Sequence, residues 1–475
     1  MSERITAKKF TANVVISLTV QAVSLAVGFL LNLIVPKFIG EDQYAYWQMY
    51  LLYVGYVGVL HFGLLDGIVL RYSQYDYEEL DKETVRSQFK ILFVFTTILA
   101  VAAIFAAFAF TRAESRYIVA FVGLGIVSKN IHTYNSYSFQ ITNRINKYAA
   151  IVIAQKLSYG IAVTVLLACK VNDFRFYCLA DLSGDAVAAA ISLAFNRGMY
   201  FGRSLRGKES FAELKRNVSA GIILMLANFS ALLIVGGAKM IVQWRWDKFV
   251  FGKVSFSFSL ANVFTTFISA ISVVLFPSLK RLEANTLPKL YKNIRSAVSL
   301  VLFGVMCAYF PGCAILNKWL PKYSESLIYL GYLLPFIIFS SKVSLLTNNY
   351  LKVYRKEKAM MAVNLCCVAG GFVLFFVAAF VFDNLILLLL SIVAVIMVNS
   401  MASEAVVGKV IGVRVAADFV AETVMVIIFI VSAASFSLWQ GFVIYLLAFI
   451  AYCIFNYKTW ETFFRKIFKK KEKQK

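Results

Sequence analysis

The chain has 475 residues, of which 60% are hydrophobic and only 15% charged, with a mean hydropathy of +0.75 and a formal net charge of +23. A soluble protein is about 45–50% apolar and about 25% charged, so this balance excludes the soluble multidomain protein that length alone suggests. Six prolines and 43 phenylalanines also exclude a disordered or linker-rich chain.

Apolar stretches long enough to cross about 30 Å of hydrocarbon recur along the chain. The predicted spans are 12–35, 44–70, 90–111, 117–138, 149–169 and 175–195, then 218–243, 250–277, 297–316, 325–349, 360–382 and 385–404, and finally 415–433 and 438–457. The pattern predicts an all-α polytopic membrane protein of about fourteen transmembrane helices. The basic N-terminus, MSERITAKKF, runs straight into a full-length span and reads as a retained first helix rather than a signal peptide. The seven cysteines lie mostly within or beside apolar segments, and none forms a CxxC pair. With His61 and His132 the only histidines, neither a metal site nor a cofactor is predicted.

Lysine and arginine orient the spans. With the N-terminus cytoplasmic, 34 basic residues fall on the inner side and nine on the outer, with five lysines (Lys129, Lys156, Lys239, Lys253 and Lys342) inside spans. The asymmetry holds through every alternation, so both termini are expected in the cytoplasm. The charge therefore describes topology. No loop is long enough to display a basic patch for nucleic acid, and no such partner is expected. In the tail, Trp460, Phe463, Phe464, Ile467 and Phe468 alternate with lysines and suit anchoring to anionic lipid.

Two outer turns resemble each other. Leu33 to Trp47 and Met240 to Phe256 both run from an apolar helix end through a basic residue, an aromatic and a glycine to a polar, aromatic restart. Their spacing predicts two six-helix lobes in a pseudo-two-fold arrangement. The lobes are expected at 1–195 and 218–405, joined by a basic cytoplasmic loop at 196–217. Two added helices lie in 406–457 and a basic cytoplasmic tail in 458–475.

At these residues the sequence resembles the multidrug/oligosaccharidyl-lipid/polysaccharide (MOP) exporter superfamily, in its polysaccharide-transporter branch of Wzx-type lipid-linked oligosaccharide flippases. The resemblance rests on Pro36-Lys37-Phe38-Ile39-Gly40-Glu41-Asp42-Gln43-Tyr44-Ala45-Tyr46-Trp47, on Phe62-Gly63-Leu64-Leu65-Asp66-Gly67 with Arg71-Tyr72, and on Val274-Leu275-Phe276-Pro277-Ser278-Leu279-Lys280-Arg281. The whole-chain layout adds to it, whereas Ala45 departs from the glycine often found there. The resemblance implies alternating access by two bundles and export of an undecaprenyl-diphosphate-linked saccharide across a bacterial plasma membrane. Membrane lipids, and a polysaccharide polymerase and glycosyltransferases of the same pathway, are the partners it implies.

Ionisable groups inside a bilayer usually face a cavity or one another. Lys129 and His132 share one helix face at i, i+3, and Asp181 and Asp185 share another at i, i+4. With Lys156 on the adjoining span, the two aspartates form either a helix staple or a coupling-ion site. Lys342 lies among Ser340, Ser341 and Ser344. Lys129, Lys342, Arg71 and Lys253 are the expected cationic lining for a diphosphate, whose oxygens accept charged hydrogen bonds. Asp66 and Arg71 are expected to pair near a helix end, while Glu404, Asp418 and Glu422 receive no role. A dianionic diphosphate leaving an inside-negative membrane gains about 4–5 kcal/mol per 100 mV, so no ATPase is required. The competing readings are a multidrug or cation antiporter of the same superfamily and a membrane polymerase or glycosyltransferase. No enzymatic motif supports the latter.

Overall fold

The computed structural model describes residues 7–111, 113–279, 286–413 and 416–456. The expected tail at 458–475 lies outside the described residues, as do Arg4, Arg112, Lys280, Arg281 and Arg414. Every regular element among the described residues is helical. In chain order these are α1 (Ala7–Phe29), α2 (Val35–Phe38), α3 (Glu41–Val54), α4 (Leu64–Tyr72), α5 (Lys82–Phe110), α6 (Glu114–Ile141), α7 (Ile145–Ala168) and α8 (Phe174–Phe195). They are followed by α9 (Gly207–Arg245), α10 (Lys248–Leu279), α11 (Leu287–Cys307), α12 (Tyr309–Trp319), α13 (Ser324–Leu333), α14 (Phe336–Lys342) and α15 (Asn348–Val353). The last four are α16 (Glu357–Phe376), α17 (Leu385–Ile411), α18 (Ala416–Ser435) and α19 (Leu438–Phe455).

Among the described residues, ten helices are long and apolar enough to cross a membrane, or twelve if two bent pairs each count as one span. The protein is an all-α polytopic membrane protein. The expected fourteen is reached only by adding α6 and α10, which lie outside that count. In α6, Glu114, Arg116 and Lys129 and a run of amide and hydroxyl side chains dilute the apolar character.

The lipid-facing surface follows from helical periodicity. On α5, Val94, Ile98, Val101, Phe105 and Phe108 recur every three or four residues and are exposed, while Leu92, Thr96, Ala100 and Ala107 on the other face are buried. This is a soluble helix turned inside out: the apolar stripe meets acyl chains and smaller side chains face the bundle. Sequence neighbours pack as hairpins, α5 with α6, α7 with α8, α16 with α17 and α18 with α19. All seven cysteines are unpaired.

The helices group into two compact units, Met1–Leu232 with Asp247–Gly252, and Leu233–Trp246 with Lys253–Lys475. The expected loop at 196–217 is helical from Gly207 onward, because α9 starts there.

In the first unit a 55° bend separates Glu41–His61 from α4. Phe62 (φ 49°) and Gly63 (φ 80°) both take the left-handed conformation at the break, which glycine adopts without steric cost. The Gly63 N–H donates to His61 Nδ1 at 3.1 Å, and His61 Nε2 lies 3.6 Å from Asp66 Oδ2. Asp66 thus faces His61 rather than Arg71, correcting the expected pair. Beyond the bend, α4 meets α9 at backbone contact. A Cβ on Gly67 would lie 1.9 Å from the Asn217 carbonyl oxygen, and one on Gly221 would lie 2.1 Å from that of Gly63. In the second unit the bend, 52°, falls between Pro321–Leu333 and Phe336–Val353. A π-helical turn, Val343–Thr347, follows Lys342 directly.

Candidate functional site

Most of the intramembrane charges collect into three clusters. The first is built on α3, α6, α7 and α8. Lys129 Nζ lies 2.8 Å from Asp181 and 2.9 Å from Asp185. The i, i+4 spacing on α8 stacks the two carboxylates on one face, so a single ammonium bridges both. Tyr50 donates its hydroxyl to Asp181 Oδ2 at 2.8 Å. Ser128 donates to Asp185 Oδ2 at 2.9 Å and Gln155 Nε2 to Asp185 Oδ1 at 3.3 Å. Both aspartates are buried, while the Lys129 side chain keeps 22% of its exposure. The expected partner, Lys156, makes no ion pair among the described residues. Lys129 on α6 takes its place, because it lies within reach of both carboxylates at once. His132, the other member of the expected face, has a buried Nδ1 without a hydrogen-bond partner.

The second cluster joins α4 to the start of α9. Arg71 Nη1 lies 2.5 Å from both Glu213 Oε1 and Asn217 Oδ1, and the Tyr72 hydroxyl donates to the same Glu213 oxygen. The Arg71 side chain is 30% exposed. It lies beside the Gly63, Gly67 and Gly221 contact, so a polar clamp and a backbone approach hold the same two helices together.

The third cluster lies in the second unit, on α11, α14, α17 and α18. Lys342 Nζ is 2.5 Å from Glu404 and 2.7 Å from Glu422, and its side chain is 0% exposed. Arg295 meets Glu404 at 2.6 Å, Glu422 at 3.1 Å and the half-exposed Asp418 at 3.2 Å. Ser299 donates to Glu422 Oε1 at 2.7 Å, and Lys342 also sits 4.8 Å over the Phe419 ring. Arg295, which precedes the predicted span 297–316 and so is expected in an inner loop, is a buried helix residue. Its companions Glu404, Asp418 and Glu422, left without a role by sequence, supply its counter-ions. Their one legible signal was acidic residues within or beside apolar spans.

Lys253, the fourth expected cation, pairs with Glu325 of α13. Arg71, Lys129, Lys342 and Lys253 thus each carry a counter-ion. Arg71 and Lys129 lie in separate clusters of the first unit, and Lys342 and Lys253 are likewise apart in the second. Outside the spans, Asp173 caps α8 and binds Arg175, whose guanidinium holds its carboxyl below the usual range. No group of three or more His, Cys, Asp or Glu among the described residues is arranged to hold a metal ion.

Ionisable side chains inside a bilayer are costly, pair with one another, and commonly mark a substrate or ion route. No curated protein sequence matches the chain. Solved structures do share its fold. The lipid II flippase MurJ in an inward closed conformation superposes with a TM-score of 0.67 at 11% identity, over 95% of this chain and 99% of that one. An inward-facing multidrug resistance MATE family transporter of the MOP superfamily gives 0.63 at 9% identity, over 84% and 98%. A MOP superfamily transporter from Pyrococcus furiosus, titled for the reverse polarity of its binding pocket, gives 0.51 at 10% identity, over 84% and 95%. The sequence profile of the family described as "Polysaccharide biosynthesis protein" matches residues 62–316, more than half of the chain, and the chain belongs to that family.

Proposed function

We propose that the protein moves an undecaprenyl-diphosphate-linked oligosaccharide, a repeat unit of a cell-surface polysaccharide, from the inner to the outer leaflet of a bacterial plasma membrane by alternating access. The observation that carries this reading is membership of a polysaccharide biosynthesis family on a transporter fold. A polysaccharide pathway assembles its units on a lipid at one face and uses them at the other. A polytopic bundle fits the crossing step between the two. The longest link between described helices, 196–206, is short for holding the donor and acceptor sugars of a polymerase or glycosyltransferase.

Within this reading the four cations divide. Arg71 and Lys129 retain exposure and exchange their carboxylates for the diphosphate as it enters. Lys342 has none and acts as a structural fastener, and Lys253 tethers α10 to α13. The ammonium can exchange one carboxylate for a diphosphate oxygen through a charge-assisted hydrogen bond of the same kind, while the displaced aspartate keeps its neutral donors, Tyr50 for Asp181 or Ser128 and Gln155 for Asp185.

The test is reconstitution of the full chain into liposomes carrying a fluorescent polyprenyl-diphosphate saccharide, with protein-dependent access to the opposite leaflet as the readout and a cationic dye in parallel. Movement of the lipid-linked sugar alone is expected. Dye movement without the lipid would transfer the assignment to a cation exporter, with Asp181 and Asp185 as its acidic residues.

A further inference from the structure

A second site lies away from the three charge clusters, at the basic end of α5. A groove of about 680 Å³ opens between the first turns of α5, the strap 198–206 and the first turn of α9. The strap is fastened down its length. Arg86 Nε donates to the Gly198 carbonyl at 2.8 Å, and its guanidinium also reaches the Arg203 carbonyl. Lys90 Nζ donates to the Ser204 hydroxyl at 2.9 Å. Gln88 Nε2, itself buried, donates to the Ser210 carbonyl at 3.2 Å and ties α9 to the same wall.

The groove has two halves of opposite character. At one end are Lys90, Arg206 and the hydroxyl-bearing Ser87 and Ser210. Further along α5 are Val94 and Ile98, and Phe211 stands next to Ser210 on α9; all three are exposed large apolar side chains. Val94 and Ile98 begin the lipid-facing stripe of α5, so the apolar half continues into the acyl-chain surface. Lys90 is the last charge of α5 before a charge-free, predominantly apolar run to Phe110, which places it where headgroups begin. Glu83 and Glu209 lie nearby in sequence, and neither lines the groove.

Two cations with hydroxyls at headgroup depth, joined to an apolar trough at chain depth, match one molecule in both charge and shape. We propose that this groove binds an anionic glycerophospholipid. Its phosphodiester lies between Lys90 and Arg206 and one acyl chain runs along Val94, Ile98 and Phe211. A zwitterionic lipid brings a choline or amine into the same cationic end and is disfavoured. Both basic side chains are exposed, so their removal leaves the packed core untouched.

The test is native mass spectrometry of the full chain, purified with equal amounts of phosphatidylglycerol and phosphatidylcholine of identical chains and then progressively delipidated. The wild type is expected to retain phosphatidylglycerol preferentially. The double variant Lys90→Ala/Arg206→Ala should lose about 30-fold in that preference, about fivefold for each charge removed at a membrane surface. A charge-matched control at exposed positions elsewhere, Lys292→Ala/Lys358→Ala, should retain it. A photo-crosslinking residue in place of Ile98 should capture phosphatidylglycerol chains in the wild-type background and not in the double variant. Equal retention of the two lipids overturns the proposal, as does an unchanged preference in the double variant. Displacement of phosphatidylglycerol by a polyprenyl diphosphate, one for one, also overturns it and gives the groove to the transported lipid.

Discussion

The lysine clusters of the two units share a plan and differ in closure. Each places one lysine against two carboxylates: Lys129 against Asp181 and Asp185, both on α8, and Lys342 against Glu404 on α17 and Glu422 on α18. The second adds Arg295, so two cations meet two buried anions, and the Lys342 side chain has no exposure. The first has one ion-paired cation for two anions, with Lys156 near them but making no ion pair among the described residues, and keeps part of its lysine accessible. Buried ions need partners to offset their lost hydration. A balanced, closed cluster is therefore held in one arrangement, whereas an unbalanced and partly open one is able to trade partners. Under the proposed function, two copies of a similar motif serve stability in one unit and transport in the other.

The largest effect should come from breaking the closed cluster. Lys342→Ala leaves buried carboxylates short of a cation and is expected to cost about 3–5 kcal/mol, seen as a lower melting temperature in detergent. Lys342→Met combined with Glu422→Gln should recover most of it. A single variant that melts like the wild type would remove the distinction between the units.

A backbone lesion in the first unit comes next. Gly67→Ala forces a methyl into the Asn217 carbonyl and should destabilise by about 1–3 kcal/mol, as overpacking does. Glu213→Gln, which keeps the shape and removes the charge, should cost no more than about 1 kcal/mol because Arg71 is partly solvated. A larger loss for the charge variant in chemical unfolding would reverse the order of clamp and contact.

Lys129→Ala sharpens the comparison most directly. Its transport rate in liposomes should fall about tenfold, equivalent to about 1.4 kcal/mol, while the melting temperature changes less than for Lys342→Ala. A loss of stability with normal transport would make Lys129 the fastener instead.

The smallest effect is at Asp173. Its carboxyl is depressed by Arg175, so its contribution is fully present above the unfolded carboxylate value of about 3.9. That contribution disappears as pH falls through the lower folded value. Asp173→Asn should slightly flatten the acid limb of a melting-temperature profile and leave the neutral region nearly unchanged.

Much of this fold was legible because bilayer-crossing helices announce themselves by length and apolarity. The Asp181 and Asp185 spacing also announced a shared face. Partner choice was less accessible. Lys129 and Lys156 both sit on spans adjoining those aspartates, and only tertiary placement selects between them. Arg295 followed Lys289 and Lys292 in a basic stretch and so resembled a loop charge. Glu213 was masked by Arg203, Arg206, Lys208, Lys215 and Arg216 around it. For Arg295 and Glu213, linear context pointed to solvent while packing supplied a partner from a distant segment.

The break before α4 has one more consequence. Because Gly63 donates its N–H to His61 Nδ1, that nitrogen must keep its lone pair, and the imidazole proton resides on Nε2, facing Asp66. A left-handed glycine thereby selects a tautomer. The nitrogen chemical shifts of a single side chain then report whether the helix is bent or straight.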